Sequence, residues 1–315
     1  MTHMRHWPVQ SGVSLLRSAL GWATFLLLFF VTVSKAGTVR PTPFDFDGDS
    51  KADISVYRPS NNTWYLLLSA TQSFATEHWG AAGDKLTPAD FDGDGRTDAA
   101  VFRPSNATWY VVGSSNDVIS VRSFGQSQDV PIPADYDGDG TADFSIVRPS
   151  NRTLYSTAFP LPQLTTPVVL TEQPVIGDFD GNGRADFALF SDFDGLWEIH
   201  DTVGGQSSFV HWGAAGDKAV AADYDGDGRS DVAVYRPSTC DWWIISSKTK
   251  SIFRTTWGAP GDLPAPADYD GDRKADLAIF RPSEGKWYIF GSLWGITTRQ
   301  FGVSGDVPVP GAFVN

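Results

Sequence analysis

Six short acidic loops recur along the chain at almost constant spacing: DFDGDSKAD at 45–53, DFDGDGRTD at 90–98, DYDGDGTAD at 135–143, DFDGNGRAD at 178–186, DYDGDGRSD at 223–231 and DYDGDRKAD at 268–276. Their starts lie 45, 45, 43, 45 and 45 residues apart. A period of this length marks a chain built from stacked copies of one supersecondary unit, none of which buries its apolar face alone. Six such units nearly fill the sequence after residue 36.

Each loop runs into a strand-like segment and a turn, as in DISVYRPSNNTWY, DAAVFRPSNATWY and DLAIFRPSEGKWY. A further short strand then reaches a WG or FG with a nearby aspartate, at 79–84, 124–129, 212–217, 257–262 and 301–306. A Pro-rich stretch leads into the next loop. Roughly four short strands per unit match the count and period of a β-propeller blade. The expected fold is therefore an all-β propeller of six blades of four antiparallel strands, with seven blades as the alternative. The totals of 31 Gly, 20 Pro and 12 Trp fit short strands joined by turns. In the strand after each loop the first and third residues are apolar, as in Ile54/Val56 and Leu277/Ile279. The opposite face pairs a small residue with a mostly aromatic one, as in Ala100/Phe102 and Ala278/Phe280. A strand apolar on both faces belongs between neighbouring sheets.

Residues 1–36 contain Arg5, Arg17 and Lys35 but no acid, and SALGWATFLLLFFVTVS between the last two is uncharged. This reads as a secretory signal peptide cleaved before Gly37, with an uncleaved membrane anchor as the alternative. Residues 37–315 are then one propeller domain, secreted or at the cell surface. The net charge of −13 argues against a nucleic-acid partner. The single cysteine, Cys240, permits no intrachain disulfide and no cysteine-built zinc or redox site.

A metal in this chain must use oxygen ligands, and the loops supply them. Carboxylates fall at positions one, three, five and nine: Asp45, Asp47, Asp49 and Asp53; Asp90, Asp92, Asp94 and Asp98; Asp135, Asp137, Asp139 and Asp143; Asp178, Asp180 and Asp186; Asp223, Asp225, Asp227 and Asp231; Asp268, Asp270, Asp272 and Asp276. Asn182 replaces the fifth aspartate of the fourth loop. With the seventh-position backbone carbonyls of Lys51, Arg96, Thr141, Arg184, Arg229 and Lys274, each set suits Ca2+, which takes about six to eight oxygens in flexible geometry. About six calcium ions are expected. The opening resembles an EF-hand, but position twelve is a strand residue such as Val56 or Ile279 where that motif needs Glu. Ser50 and Arg273 replace the Gly of position six in the first and last loops. Those two loops, with the Asn182 loop, are expected to bind more weakly.

The DxDGDGxxD loop, the strand after it and the FG/WG-xx-GD segment together resemble the FG-GAP, or VCBS-type, repeats of integrin α-chain propellers and of many secreted bacterial proteins. The resemblance spans residues 38–315. It implies a calcium-stabilised propeller with each loop in a hairpin of one blade, used for adhesion or ligand binding; some fungal relatives are lectins.

Two units depart from the pattern. The stretch 150–177 lacks the WG/FG segment, and the fourth unit has SDF at 191–193 in place of RPS. This irregular patch is a candidate for function, and Glu172, Asp192, Asp194, Glu198 and His200 within it are the only acids and histidine outside the loops that could serve an enzyme acting on polysaccharide. His78 and His211 are repeat equivalents, and no nucleophile elbow or phosphate loop occurs in the sequence. No catalysis and no catalytic residue are therefore expected. The function expected is that of a secreted, non-catalytic binding or adhesion module for a protein or glycan ligand, with a lectin as the alternative. The tryptophans after the Arg-Pro-Ser turns, Trp64, Trp109, Trp242 and Trp287, are expected to pack between blades rather than form sugar-stacking platforms. The Asn-x-Thr sequences at Asn61, Asn106 and Asn151 lie in equivalent turns that favour Asn anyway. The last residues repeat the strand that enters a loop, with Ala312 where Asp135 stands in the third unit. They are expected to form a true terminus, with residues 306–313 adding a strand to the first blade.

Overall fold

The computed structural model describes residues 42–158 and 172–314. The expected leader at 1–36 and the middle of the irregular stretch, 159–171, lie outside the described residues. Among them the repeat forms six separate antiparallel sheets. From inner to outer strand, blade 2 contains Lys85–Leu86, Ala99–Arg103, Thr108–Val112 and Ile119–Ser123. Blade 4 contains Glu172–Gly177, Asp186–Ser191, Leu196–His200 and Ser207–His211. Blade 5 contains Lys218–Ala219, Val232–Arg236, Asp241–Ile245 and Ile252–Thr256, and blade 6 Leu263–Pro264, Leu277–Arg281, Lys286–Gly291 and Gly295–Gln300. Blade 3 shows three strands among the described residues: Val130–Pro131, Ser145–Arg148 and Thr153–Ser156.

Blade 1 is built from both ends of the domain. Its second to fourth strands are Ile54–Arg58, Thr63–Leu67 and Phe74–His78, and its innermost strand is Val307–Pro308. The closure rests on two cross-strand pairs, Val56 with Pro308 and Tyr57 with Val307. Arg58 reinforces it by donating from Nε and Nη2 to Asp306 at 2.7 and 2.9 Å. The closing strand is therefore where residues 306–313 were expected to place it.

Both faces of the second strand are buried, as the alternation predicts. Ala100, Val101 and Phe102 have no exposed surface, nor do Ala278, Ile279 and Phe280. In five of the six blades the next strand contributes a fully buried tryptophan, Trp64, Trp109, Trp197, Trp242 and Trp287 all being 0% exposed, and in blade 3 Leu154 takes this position. Each donates its indole N–H to a carbonyl at the end of the outer strand, as Trp109 does to Phe124 and Trp242 to Trp257. These rings are core, so they offer no face to a sugar. The tryptophan of the WG pair joins neighbours instead: Trp79 donates to the Tyr110 carbonyl and Trp212 to that of Trp243, each in the next blade.

Six, not seven, is the number of blades, and the acidic loops show it independently. The eighth residue of every loop donates its N–H to the carbonyl of the first residue of the preceding loop. The bonds run Thr97 to Asp45, Ala142 to Asp90, Ala185 to Asp135, Ser230 to Asp178, Ala275 to Asp223, and finally Ala52 to Asp268. The last bond returns to the start, so the loops form a closed hydrogen-bonded ring. No helix among the described residues is long and apolar enough to cross a membrane.

Candidate metal centres and the irregular blade

In blades 2 to 6 the acidic loop connects the first and second strands, in blade 1 it leads into the second strand, and in every loop the tight turn depends on left-handed backbone at positions four and six. At position six Gly95, Gly140, Gly183 and Gly228 have φ of 87°, 95°, 90° and 86°. Ser50 and Arg273 hold the same conformation at 68° and 69°, which costs a side-chain-bearing residue about 1–3 kcal/mol. At position four a side chain would also collide with the next loop. A Cβ on Gly48 would lie 2.8 Å from Nε of Arg96, because the seventh residue lays its side chain across the preceding loop.

The turn folds the carboxylates inward. The first aspartate caps the loop: Asp90 Oδ1 accepts from Gly93 N–H at 2.7 Å and Oδ2 from Gly95 N–H at 2.8 Å. The ninth aspartate accepts from the second residue, as Asp98 does from Phe91 at 2.7 Å. Three carboxylates then present one oxygen each within 4.8 Å of one another. The sets are Asp45, Asp47 and Asp53; Asp90, Asp92 and Asp94; Asp135, Asp137 and Asp143; Asp178, Asp180 and Asp186; and Asp223, Asp225 and Asp231. In the sixth loop Asp268 and Asp276 repeat the same bonds to Gly271 and Tyr269.

This geometry is electrostatically costly without a cation. Burial, opposed by the backbone donors and reinforced by neighbouring carboxylates, pushes Asp53 and Asp276 up to about 7. The same balance puts Asp98, Asp143 and Asp186 at about 6, and burial also raises Asp231, Asp45, Asp90, Asp135, Asp223 and Asp268. Two carboxylate oxygens, Asp47 Oδ1 and Asp270 Oδ1, are buried with no hydrogen-bond partner. Buried polar atoms rarely go unpaired. Both belong to the third residue of a loop, where a cation would face them, so the residues present fit a hard divalent ion.

The sequence reading missed the hairpin that joins the third and fourth strands of blades 1, 2, 5 and 6. Ser69, Ser114, Ser247 and Ser292 stand 16 residues beyond the ninth aspartate and donate their N–H to it. Their hydroxyls reach the fifth aspartate, at 2.8 Å from Ser69 to Asp49 and 3.1 Å from Ser114 to Asp94. The recurrence of Ser at this offset is visible in the sequence once the period is known.

The Arg-Pro-Ser arginines have a structural task. Arg103 donates from Nε and Nη2 to Asp84, both at 2.8 Å, and its guanidinium lies 4.3 Å from the Tyr110 ring. Arg148 with Asp129, Arg236 with Asp217, Arg281 with Asp262 and Arg58 with Asp306 repeat the pair.

The irregular region is a rearrangement of that pair. In blade 4 Ser191 takes the arginine's place, Glu172 the aspartate's and Glu198 the tyrosine's. Arg152, from the turn of blade 3, fills the gap. It donates from Nε and Nη2 to Glu172 at 2.8 and 2.9 Å and from Nη2 to Glu198 at 3.0 Å. His200 Nε2 lies 3.1 Å from Glu198 Oε1 without hydrogen-bond geometry, while Nδ1 meets the Ser207 hydroxyl at 2.8 Å. Burial lowers the pKa of His200 and outweighs its neighbour Glu198. Of the five residues considered for an enzyme, Glu172, Glu198 and His200 come together. Asp194 stays in the exposed turn, and Asp192 is in the same turn. The departures in units three and four thus compensate each other as one inter-blade ion network.

The fold and its ring of carboxylate loops define a repeat-built, six-bladed β-propeller. Residues 45–101 match the FG-GAP-like repeat, and that match and the six-bladed ring together support an FG-GAP repeat propeller. No curated protein matches the sequence. Among solved structures the fold is similar to an Agrocybe aegerita lectin that recognises non-reducing terminal N-acetylglucosamine. That likeness has 16% identity and a TM-score of 0.54 over 82% of this chain and 77% of that one. It is also similar to a streptogramin B lyase, at 9% identity and a TM-score of 0.50 over 85% and 87% of the two chains. At such identities the likeness shows the fold alone. It corrects one expectation: absence of catalysis does not follow from this architecture, because an enzyme shares it.

Proposed function

We propose that the chain is an exported calcium-binding propeller whose metal loops hold a ligand-binding module together outside the cell, in adhesion or recognition. The observation that supports the metal most directly is the unpaired, buried oxygen on Asp47 and on Asp270, each inside a cluster of carboxylates. Calcium would be held by the carboxylates of each loop, with the seventh-position carbonyl as a further oxygen, and would neutralise charge that burial otherwise opposes. Export fits the uncharged run between Arg17 and Lys35 and the single, buried Cys240, since calcium takes the stabilising role that disulfides have in many exported proteins.

A glycan ligand is the second reading, favoured by an open groove of about 520 Å³ between blades 4 and 5. Phe179, Gln206, Ser207, Ser246 and Lys250 line it, a mixture of apolar surface and hydrogen-bonding groups that suits a sugar. Metal analysis of the purified chain after dialysis tests the first reading, which expects about six calcium ions per molecule; a metal-free, fully folded protein in excess calcium would overturn it. A glycan array tests the second, and an array without binding removes it.

A further inference from the structure

We propose that Ser69, Ser114, Ser247 and Ser292 are positioning residues that set the calcium affinity of their loops, an inference that rests on the calcium reading above. Three carboxylates of each loop are held from outside by this one hairpin. In blade 2 the Ser114 N–H donates to Asp98 at 2.7 Å, the Ser114 hydroxyl to Asp94 at 3.1 Å, and the Ser115 hydroxyl to Asp92 at 2.6 Å. Blade 1 uses the Ser69 N–H on Asp53 at 2.6 Å, its hydroxyl on Asp49 at 2.8 Å, and the Ala70 N–H on Asp47 at 3.0 Å.

The geometry shows what the donors accomplish. On Asp270 the Leu293 and Trp294 N–H groups both take Oδ2, at 2.8 and 3.1 Å, and leave Oδ1 buried without a partner. On Asp47 the Ala70 N–H likewise takes Oδ2 and leaves Oδ1. On Asp94 the Ser114 hydroxyl joins the Arg96 N–H on Oδ1. A carboxylate pinned by one oxygen turns the other toward the shared centre, and partners that orient metal ligands in this way are worth about 10–100-fold in affinity. Blade 4 supplies the contrast. Its equivalent residue is Thr202, whose hydroxyl donates to the Ala185 carbonyl, and Asn182 turns its amide onto Asp180.

The test is calcium titration of the full chain, followed by hydrogen exchange of each loop peptide. Ser114→Ala should raise the calcium midpoint of peptide 90–98 by about 10-fold. The other loops should keep their midpoints, and the calcium-free melting temperature should not move. An unchanged midpoint, or a lower calcium-free melting temperature with the midpoint intact, overturns the proposal. If Ser114→Ala does not fold, Ser69→Ala read at peptide 45–53 decides in the same way. Loss of calcium-dependent protection from every loop of the wild type would instead refute the metal reading, and this inference with it.

Discussion

Replacing Asp306 with Ala separates ring closure from ordinary blade packing. Asp306 is fully buried, accepts two charge-assisted bonds from Arg58, and accepts a third from the Val303 N–H at 2.9 Å. Removing one partner of a buried ion pair costs about 3–5 kcal/mol because the other charge stays desolvated. Arg58 keeps 23% of its side chain exposed, so water recovers part of that and the lower end applies. The orphaned Val303 N–H adds about 1 kcal/mol. The expected loss of about 3–4 kcal/mol corresponds to roughly 6–12 °C for a domain of this size. Asp84→Ala is the internal control, since Arg103 makes the same paired bonds inside one continuous stretch of chain. Thermal unfolding in saturating calcium should show Asp306→Ala as the more damaging change, because the strand it precedes is held by only two cross-strand pairs. A loss below about 1 kcal/mol, far under the cost of an unpaired buried charge, would refute the closure account.

Three further outcomes follow. In calcium-free protein burial raises the pKa of every ninth aspartate, to about 7 for Asp53 and Asp276 and about 6 for Asp98, Asp143 and Asp186, so their protonated forms favour the fold. Stability should be greatest at acidic pH and fall as pH rises through that range, with saturating calcium removing the fall; melting temperatures across it that decline equally with and without calcium would contradict this. Arg152→Ala leaves Glu172 and Glu198 without their shared cation and should cost about 3–5 kcal/mol in urea unfolding, whereas a change under about 1 kcal/mol would show that the network is dispensable. Trp242→Phe removes the indole donor from the Trp257 carbonyl and should cost about 1–3 kcal/mol in the same assay; no change would mean that the bond contributes nothing.

The repeat made blade number, strand order and loop carboxylates legible, because period-two alternation and fixed Asp spacing are local properties of the chain. Long-range pairings were less legible. Arg152 lies 46 residues from Glu198, and nothing local distinguishes a coordinated exchange of ion-pair partners from two lapses in a motif. The hairpin serines escaped notice because Ser in a turn is ordinary until the fold brings it to a carboxylate. Closure was readable because the final residues repeat a strand that otherwise enters a loop. Whether a propeller catalyses is not decided by its repeat, and there the motif-based expectation failed.

Calcium is the central claim, and the melting temperature of the full chain before and after chelation tests it most directly. A site occupied at 100 times its dissociation constant adds about 2.7 kcal/mol, so several filled loops should raise the melting temperature by more than about 10 °C. Restoring calcium should restore the transition. Melting temperatures that agree within about 1 °C, far less than even one filled site would give, would mean that the loops are held without the ion.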